Sequence, residues 1–173
     1  MMSALDTQPQ NLNLLASTGF KFFIKKLPTT NFFVQSVNIP GIKLAFTEQV
    51  TPFLNINYYG DKLVYNDFAV SFAVDEDMRN YLELRTWLEG LGRPVNFDQR
   101  QKLEQKEGIS EGKRSDCTIV TSSNNKVPSI EIQIQDAFPI SVTDLTFSST
   151  QTSESYLLAT ATFKYTNITI KKI

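Results

Sequence analysis

The sequence predicts a mainly β protein, an antiparallel β-sandwich or barrel with one flanking α-helix. Three observations carry this. Phe68-Ala69-Val70-Ser71-Phe72-Ala73-Val74 alternates at period two with large apolar residues on one face and small ones on the other, the pattern of a strand covered on both sides. The acidic cluster Asp75-Glu76-Asp77 follows at once, and Tyr81, Leu84, Trp87, Leu88 and Leu91 then recur at three- and four-residue steps, giving one apolar helical stripe. Elsewhere the apolar residues alternate in short runs separated by Gly, Pro, Asn and Ser, as strands between turns do.

Residues 1–18 are polar and read as an N-terminal arm, and residues 19–173 read as a single domain. Phe20, Phe22 and Ile24 share one face of a first strand, which Pro28 ends; Phe32 to Val37 reads as a second, stopped at Asn38-Ile39-Pro40-Gly41. Lys43 to Tyr59 reads as extended, with Pro52 marking an edge or a bulge because proline cannot donate to a ladder. Gly60-Asp61 reads as a turn and Leu63 to Tyr65 as a short returning strand. In the helix, Asp75 or Asp77 is the expected acceptor for the first-turn amides, Gly92 the expected left-handed stop, and Pro94 a bar to continuation.

Residues 98–116 differ in kind: ten of the nineteen are charged, five of each sign, with only Leu103 and Ile109 apolar. This charged loop cannot bury itself, and a long connection of that composition is either a plain surface loop or one ordered by a partner. Beyond it, Thr118 to Ser122 and Val127 to Gln135 read as a hairpin around Ser123-Asn124-Asn125-Lys126, since Asn tolerates positive φ. Ile130, Ile132 and Ile134 give it a dry face against Glu131, Gln133 and Gln135, and Phe138-Pro139 is its expected end. Val142 to Phe147 reads as another strand. Leu157, Ala159, Ala161, Phe163 and Tyr165 form one face of the last alternating run, whose phase then slips to Ile168 and Ile170, as at a bulge or a change of partner.

Composition narrows function. The chain has 173 residues, 41% of them hydrophobic, with 13 Phe, so it can form a core without a metal or disulfide staple. It has no histidine and one cysteine, which removes Ser/His/Asp and Cys/His catalysis and any Cys/His zinc site. Cys117 is expected to be a structural strand residue, and its solitude fits assembly in a reducing host cytoplasm. The cluster at Asp75–Asp77 has no second ligand set at calcium-loop spacing and reads as a helix cap, so no metal, cofactor or enzymatic activity is expected. A net charge of −1 gives no field for gripping phosphates. No apolar run approaches the roughly 18 residues that span a bilayer, so membrane insertion is not expected. The sequon Asn167-Ile168-Thr169 lacks a preceding secretory signal pattern and reads as chance.

The order of pieces resembles the tail-tube proteins of contractile-tailed bacteriophages. The resemblance is carried by Ser36-Val37-Asn38-Ile39-Pro40, Gly60-Asp61, Asp67-Phe68, Asp75-Glu76, Tyr81 and Trp87, Ala137-Phe138-Pro139, Val142, Leu145 and Phe147, and the closing strand Ala159 to Tyr165. The arm and the 98–116 loop depart from it. The resemblance implies a structural virion subunit forming hexameric rings that stack into a tube, with a lumen through which DNA passes only in transit. It also implies sheath, baseplate or terminator proteins as neighbours. A baseplate tube-initiator or a tail terminator ring of the same fold fits the same pattern, and a monomeric β-sheet module for single-stranded nucleic acid is the rival of another class. Within the tube reading, Leu54, Ile56 and Tyr58 with Arg100, Lys102, Glu104, Lys106, Glu107, Lys113 and Arg114 are the expected subunit interface. Asn55, Asn57, Gln133 and Gln135, polar and uncharged, are the expected lumen lining.

Overall fold

The computed structural model describes residues 12–92, 112–150 and 156–173. Within them the strands are β1 (Phe20–Ile24), β2 (Val34–Val37), β3 (Ile42–Val50), β4 (Asn55–Tyr65), β5 (Phe68–Ala73), β6 (Ser115–Ser122), β7 (Pro128–Val142), β8 (Leu158–Lys164) and β9 (Asn167–Lys172). The helices are α1 (Pro28–Phe33) and α2 (Arg79–Leu91). Every strand pairing is antiparallel.

Seven strands form one connected ladder in the order β1–β6–β7–β8–β5–β2, with β9 added alongside β7. β7 joins the two halves. Its first half pairs with β6 and β9, its second with β8. Between them Asp136 takes a positive φ of 57°, a conformation Asp adopts more readily than most residues. The bent strand folds the β1–β6–β7–β9 sheet over the β7–β8–β5–β2 sheet. Phe22 of β1 meets Phe68 of β5 at a 6.0 Å ring separation, and Trp87 of α2 meets Phe163 of β8 at 6.2 Å. Phe22, Ile24, Leu27, Phe68, Val70, Phe72, Leu84, Trp87, Cys117, Ile119, Ile132, Ile134, Ala137, Ala159, Ala161 and Phe163 make up the core among the described residues. The result is the antiparallel sandwich with a flanking helix that the alternation implied.

α2 is capped as expected in part. Asp75 Oδ1 accepts the Asn80 amide at 3.2 Å, and the buried Asn80 side chain accepts the Tyr81 amide and donates to the Ala73 carbonyl at 2.7 Å. Asp77 instead pairs with Arg79 at 2.9 Å in solvent. Gly92 ends the helix by donating to Leu88 O, but its φ of −84° is not left-handed. Pro94 lies outside the described residues.

Several sequence expectations are corrected. Phe32 and Phe33 are the end of a short helix rather than the start of a strand. Pro28 opens that helix, because its fixed φ suits the first helical turn. Asn31 stabilises the connection by accepting the Ile24 amide at 2.9 Å and donating to the Ile24 carbonyl at 3.0 Å. Pro52 lies in the Thr51–Leu54 connection between β3 and β4 and not in a strand. Gly60-Asp61 does not turn, and β4 runs through it to Tyr65. Phe138-Pro139 does not end β7, which continues to Val142, while residues 143–147 are irregular. Proline is tolerated in that half because its ladder partner is β8 alone. The slip after Tyr165 is a change of partner: β8 pairs with β5 and β7, and β9 returns onto the other half of β7.

Candidate assembly interface

The most unusual surface is the β3–β4 hairpin. It continues the β2–β5 ladder past the body of the sandwich, through Asn38 N to Ala69 O at 3.1 Å and Asn66 N to Gly41 O at 3.0 Å. All nine β3 residues are exposed. Between Leu44 and Phe46 the partners jump from Leu63 to Tyr59, so Gly60, Asp61 and Lys62 lie opposite the single residue Ala45. A Cβ on Gly60 would sit 2.7 Å from the Ala45 carbonyl oxygen, which is why glycine stands at this bulge.

The register decides which residues share a face, because directly opposed antiparallel residues point the same way. Ile42/Tyr65, Leu44/Leu63, Phe46/Tyr59, Glu48/Asn57 and Val50/Asn55 form one face, and Lys43/Val64, Thr47/Tyr58 and Gln49/Ile56 form the other. The first is the apolar one. On it Phe46 is 66% and Tyr59 83% exposed, and at the tip Phe53 is 99% exposed. The apolar part runs over Ile42, Leu44, Phe46, Tyr59, Leu63 and Tyr65, and gives way to Glu48, Asn57 and Asn55 toward the tip; exposed apolar surface on an open ribbon is a candidate interaction site. At its base Tyr65 packs edge-on against Tyr165 at 5.9 Å, and the Tyr165 hydroxyl donates to Asn66 O at 2.9 Å. The apolar face therefore continues the core-facing side of the β7–β8–β5–β2 sheet.

The sequence-selected residues fall in separate places. Leu54 is at the hairpin tip, and Ile56 and Tyr58 lie on the more polar hairpin face, while Asn55 and Asn57 lie on the apolar one. Gln133 and Gln135 are elsewhere, on the outer face of the β1–β6–β7–β9 sheet, where Gln133 donates to Glu131 at 2.9 Å. Lys113 and Arg114 serve the chain itself. The Lys113 carbonyl accepts from Trp87 Nε1 at 3.2 Å. The Arg114 guanidinium lies 6.0 Å from the Phe138 ring and 3.9 Å from the Asp136 carboxylate. Arg100, Lys102, Glu104, Lys106 and Glu107 lie outside the described residues. Sequence reasoning missed Leu44, Phe46, Val50, Phe53, Tyr59 and Leu63, because the ladder was cut at Gly60. The period-two run Ile42, Leu44, Phe46 was the signal that could have found Leu44 and Phe46.

Among the described residues no group of three or more His, Cys, Asp or Glu could hold a metal ion, and no helix is long and apolar enough to cross a membrane. Cys117 is fully buried, and burial, reinforced by Asp116, pushes its thiol up to about 12. Lys26 caps the return of the charged segment: its ammonium donates to the Gly112 carbonyl and sits 4.9 Å from the Trp87 ring centre.

Residues 7–171 match the family of phage tail tube proteins. The chain belongs to that family. It is 27% identical over 170 residues to the tail tube terminator protein of Enterobacteria phage T4, covering 94% of this chain and 92% of that protein. The tube-terminating cap of the anti-feeding prophage superposes with a TM-score of 0.60 at 14% identity, covering 99% of this chain and 100% of that one. A chain of the sheath–tube complex of the PVC extracellular contractile injection system superposes at 0.55 and 14% identity, with full coverage of both. These likenesses show the fold. This tail tube family member is a structural tail component.

Proposed function

We propose that this chain forms a closed ring at the end of a contractile tail tube, with DNA passing through its lumen only in transit. The observation that carries this reading is the nearly full-length match to a protein named as a tail tube terminator. The exposed apolar hairpin supports it, because such a ribbon gains stability only when another chain covers it. In this reading the Ile42–Phe46 and Tyr59–Leu63 face beds on a neighbouring subunit, with the tip residues Phe53 and Leu54 reaching furthest. The sequence-selected charges Arg100, Lys102, Glu104, Lys106 and Glu107 are assigned to ion pairing across the contact, while Lys113 and Arg114 serve the chain itself. Sheath and tube proteins are the neighbours, no catalysis is assigned, and assembly takes place in the host cytoplasm, where the single buried thiol needs no partner. A repeating tube subunit is the second reading, favoured by the family match over residues 7–171.

Electron microscopy of the protein alone and mixed with purified tail tubes separates them. The terminator reading expects single rings that seat on one end of a tube and stop its growth. Long tubes built from this chain alone would replace it with the repeating-subunit reading, and particles that never close into rings would reject both.

A further inference from the structure

We propose that Tyr165 is a positioning residue for assembly: it latches the β3–β4 hairpin in line with the sandwich and, with Pro40 as the pivot, sets the angle at which the apolar hairpin face is offered to a neighbouring copy. This rests on the hairpin contact in the ring reading above and adds the part of the chain that aims it.

The hairpin is a lever with little hold of its own on the body. β3 and β4 form a two-stranded sheet separate from the other seven strands. All nine β3 residues are exposed, and of the eleven in β4 only Gly60 and Tyr65 are partly buried. None of them belongs to the core. Eleven residues at about 3.3 Å each make a lever of roughly 35 Å, so a swing of about 10° at its base moves the tip by roughly 6 Å.

The chain crosses between hairpin and sandwich twice, at Asn38–Gly41 and at Asn66–Asp67. The first crossing is anchored. Pro40 is buried, and its ring fixes φ. Asn38 accepts the Ala69 amide and donates to the Asp67 carbonyl at 3.4 Å. At the second crossing Asn66 is exposed and Asp67 only half-buried. Asp67 pairs with Lys164 near solvent, and exposed ion pairs contribute little. The Asn66 amide donates to Gly41 O at 3.0 Å, which ties the two crossings to each other.

Tyr165 is what ties them to the body. It stands just past the end of β8, and the next amide, Thr166 N, donates to Gln135 O at 3.0 Å, so its backbone belongs to the sandwich. Its ring meets Tyr65 edge-on at 5.9 Å, and its hydroxyl donates to Asn66 O at 2.9 Å. Among the described residues it is the one sandwich side chain with a ring contact or hydrogen bond to residues 42–66. Hinges are a few residues at element ends that absorb a change in φ and ψ, and the two crossings have that place in the chain. With no buried apolar area to add to it, one ordinary hydrogen bond biases the aligned hairpin about two- to tenfold.

The test reads hairpin angle and assembly separately. Spin labels on Phe53→Cys at the exposed tip and Thr86→Cys on the exposed side of α2 report the angle, because Cys117 is fully buried and takes no label. The labelled free subunit should give one narrow distance. Adding Tyr165→Phe, which keeps the ring and removes the hydroxyl, should broaden the distribution and raise the misaligned fraction about two- to tenfold. Its unfolding midpoint should match the parent's. Unlabelled Tyr165→Phe should assemble several-fold more slowly by light scattering, although every hairpin residue is unchanged. A parent-like distance distribution in Tyr165→Phe would overturn the proposal and leave the hairpin contact intact. Parent-like assembly of Tyr165→Phe beside slow assembly of Phe46→Ser would overturn it too, since the angle would not matter. Slow assembly with a lowered unfolding midpoint would assign Tyr165 to stability and overturn it as well. Normal assembly in Phe46→Ser and Tyr165→Phe alike would remove the hairpin contact and this inference with it.

Discussion

Trp87 shows how one side chain ties three parts of the molecule together. Its ring fills the core beside Phe163, its indole N–H donates to the Lys113 carbonyl, and the Lys26 ammonium lies over its face. Trp87→Ala removes all three contacts, and by the usual scale of large-to-small core changes it should cost about 3–5 kcal/mol. Trp87→Phe keeps much of the packing but strands the carbonyl, which should cost about 1–3 kcal/mol. Urea titration of both variants checks the order; both lack the indole N–H, so equal losses would mean that the ring packing Phe keeps contributes nothing. Cys117 gives a prediction with a sign. Burial holds its thiol up to about 12 in the folded chain against an ordinary 9.0. Between those values the unfolded chain has released the proton and the folded chain has not, so stability is fully present below pH 9 and falls as pH rises toward 12. The parent should therefore lose stability relative to Cys117→Ala across that window, and a constant difference between the two would contradict the assignment. Much of this scale was legible in the sequence. The alternation marked Phe68, Val70 and Phe72 as core, and the acidic cluster marked Asp75 as a cap. Asn80 was not legible, because a buried amide that bonds three backbone groups looks in sequence like any polar helix residue.

At the scale of elements, the hairpin carries the strongest expectations. Gly60→Ala puts a methyl group against the Ala45 carbonyl, so the β3–β4 ladder should loosen at the bulge while the sandwich stays intact. Hydrogen exchange should speed up in Ile42 to Tyr65 alone, and unchanged exchange there would show that the bulge can relax. Phe46→Ser and Tyr59→Ser alter side chains that touch mainly water in the free subunit. They should change its stability by no more than about 0.5 kcal/mol and yet slow assembly strongly, as followed by light scattering. Normal assembly in both variants would dismiss the apolar face as an interface. Sequence reasoning failed in this region for a physical reason. Gly-Asp serves a tight turn and a β-bulge equally well, and only the partner strand decides between them. Pro28 misled in the same way, since a proline that ends a strand and one that opens a helix look alike. The slip after Tyr165 was legible as a bulge or a change of partner, and only the pairing of β9 with the first half of β7 decides for the second.

At the scale of the whole molecule, the fold is a unit with strand edges left open among the described residues, and the proposed ring would close them. Residues 98–111 lie outside the described residues and Ser115–Asp116 belong to β6, and the ten balanced charges of 98–116 suit contacts that set register. Exposed ion pairs contribute about 0–1 kcal/mol each, so they select alignment more than they supply affinity. Gly112 and Lys113 at its end are held by Lys26 and Trp87 and belong to the body. Replacing residues 102–111 with a short Gly-Ser linker should therefore leave the subunit's unfolding midpoint unchanged, slow its assembly, and flatten the dependence of assembly on salt. A variant that assembles like the parent at low and high salt would make the segment a surface decoration. The central claim is that this chain is a ring-forming tail subunit, and cryo-electron microscopy of the purified protein, alone at high concentration and with tail tubes, tests it most directly. The account predicts closed rings with an open lumen, found free or seated on tube ends; particles that remain monomeric and featureless under both conditions would contradict it.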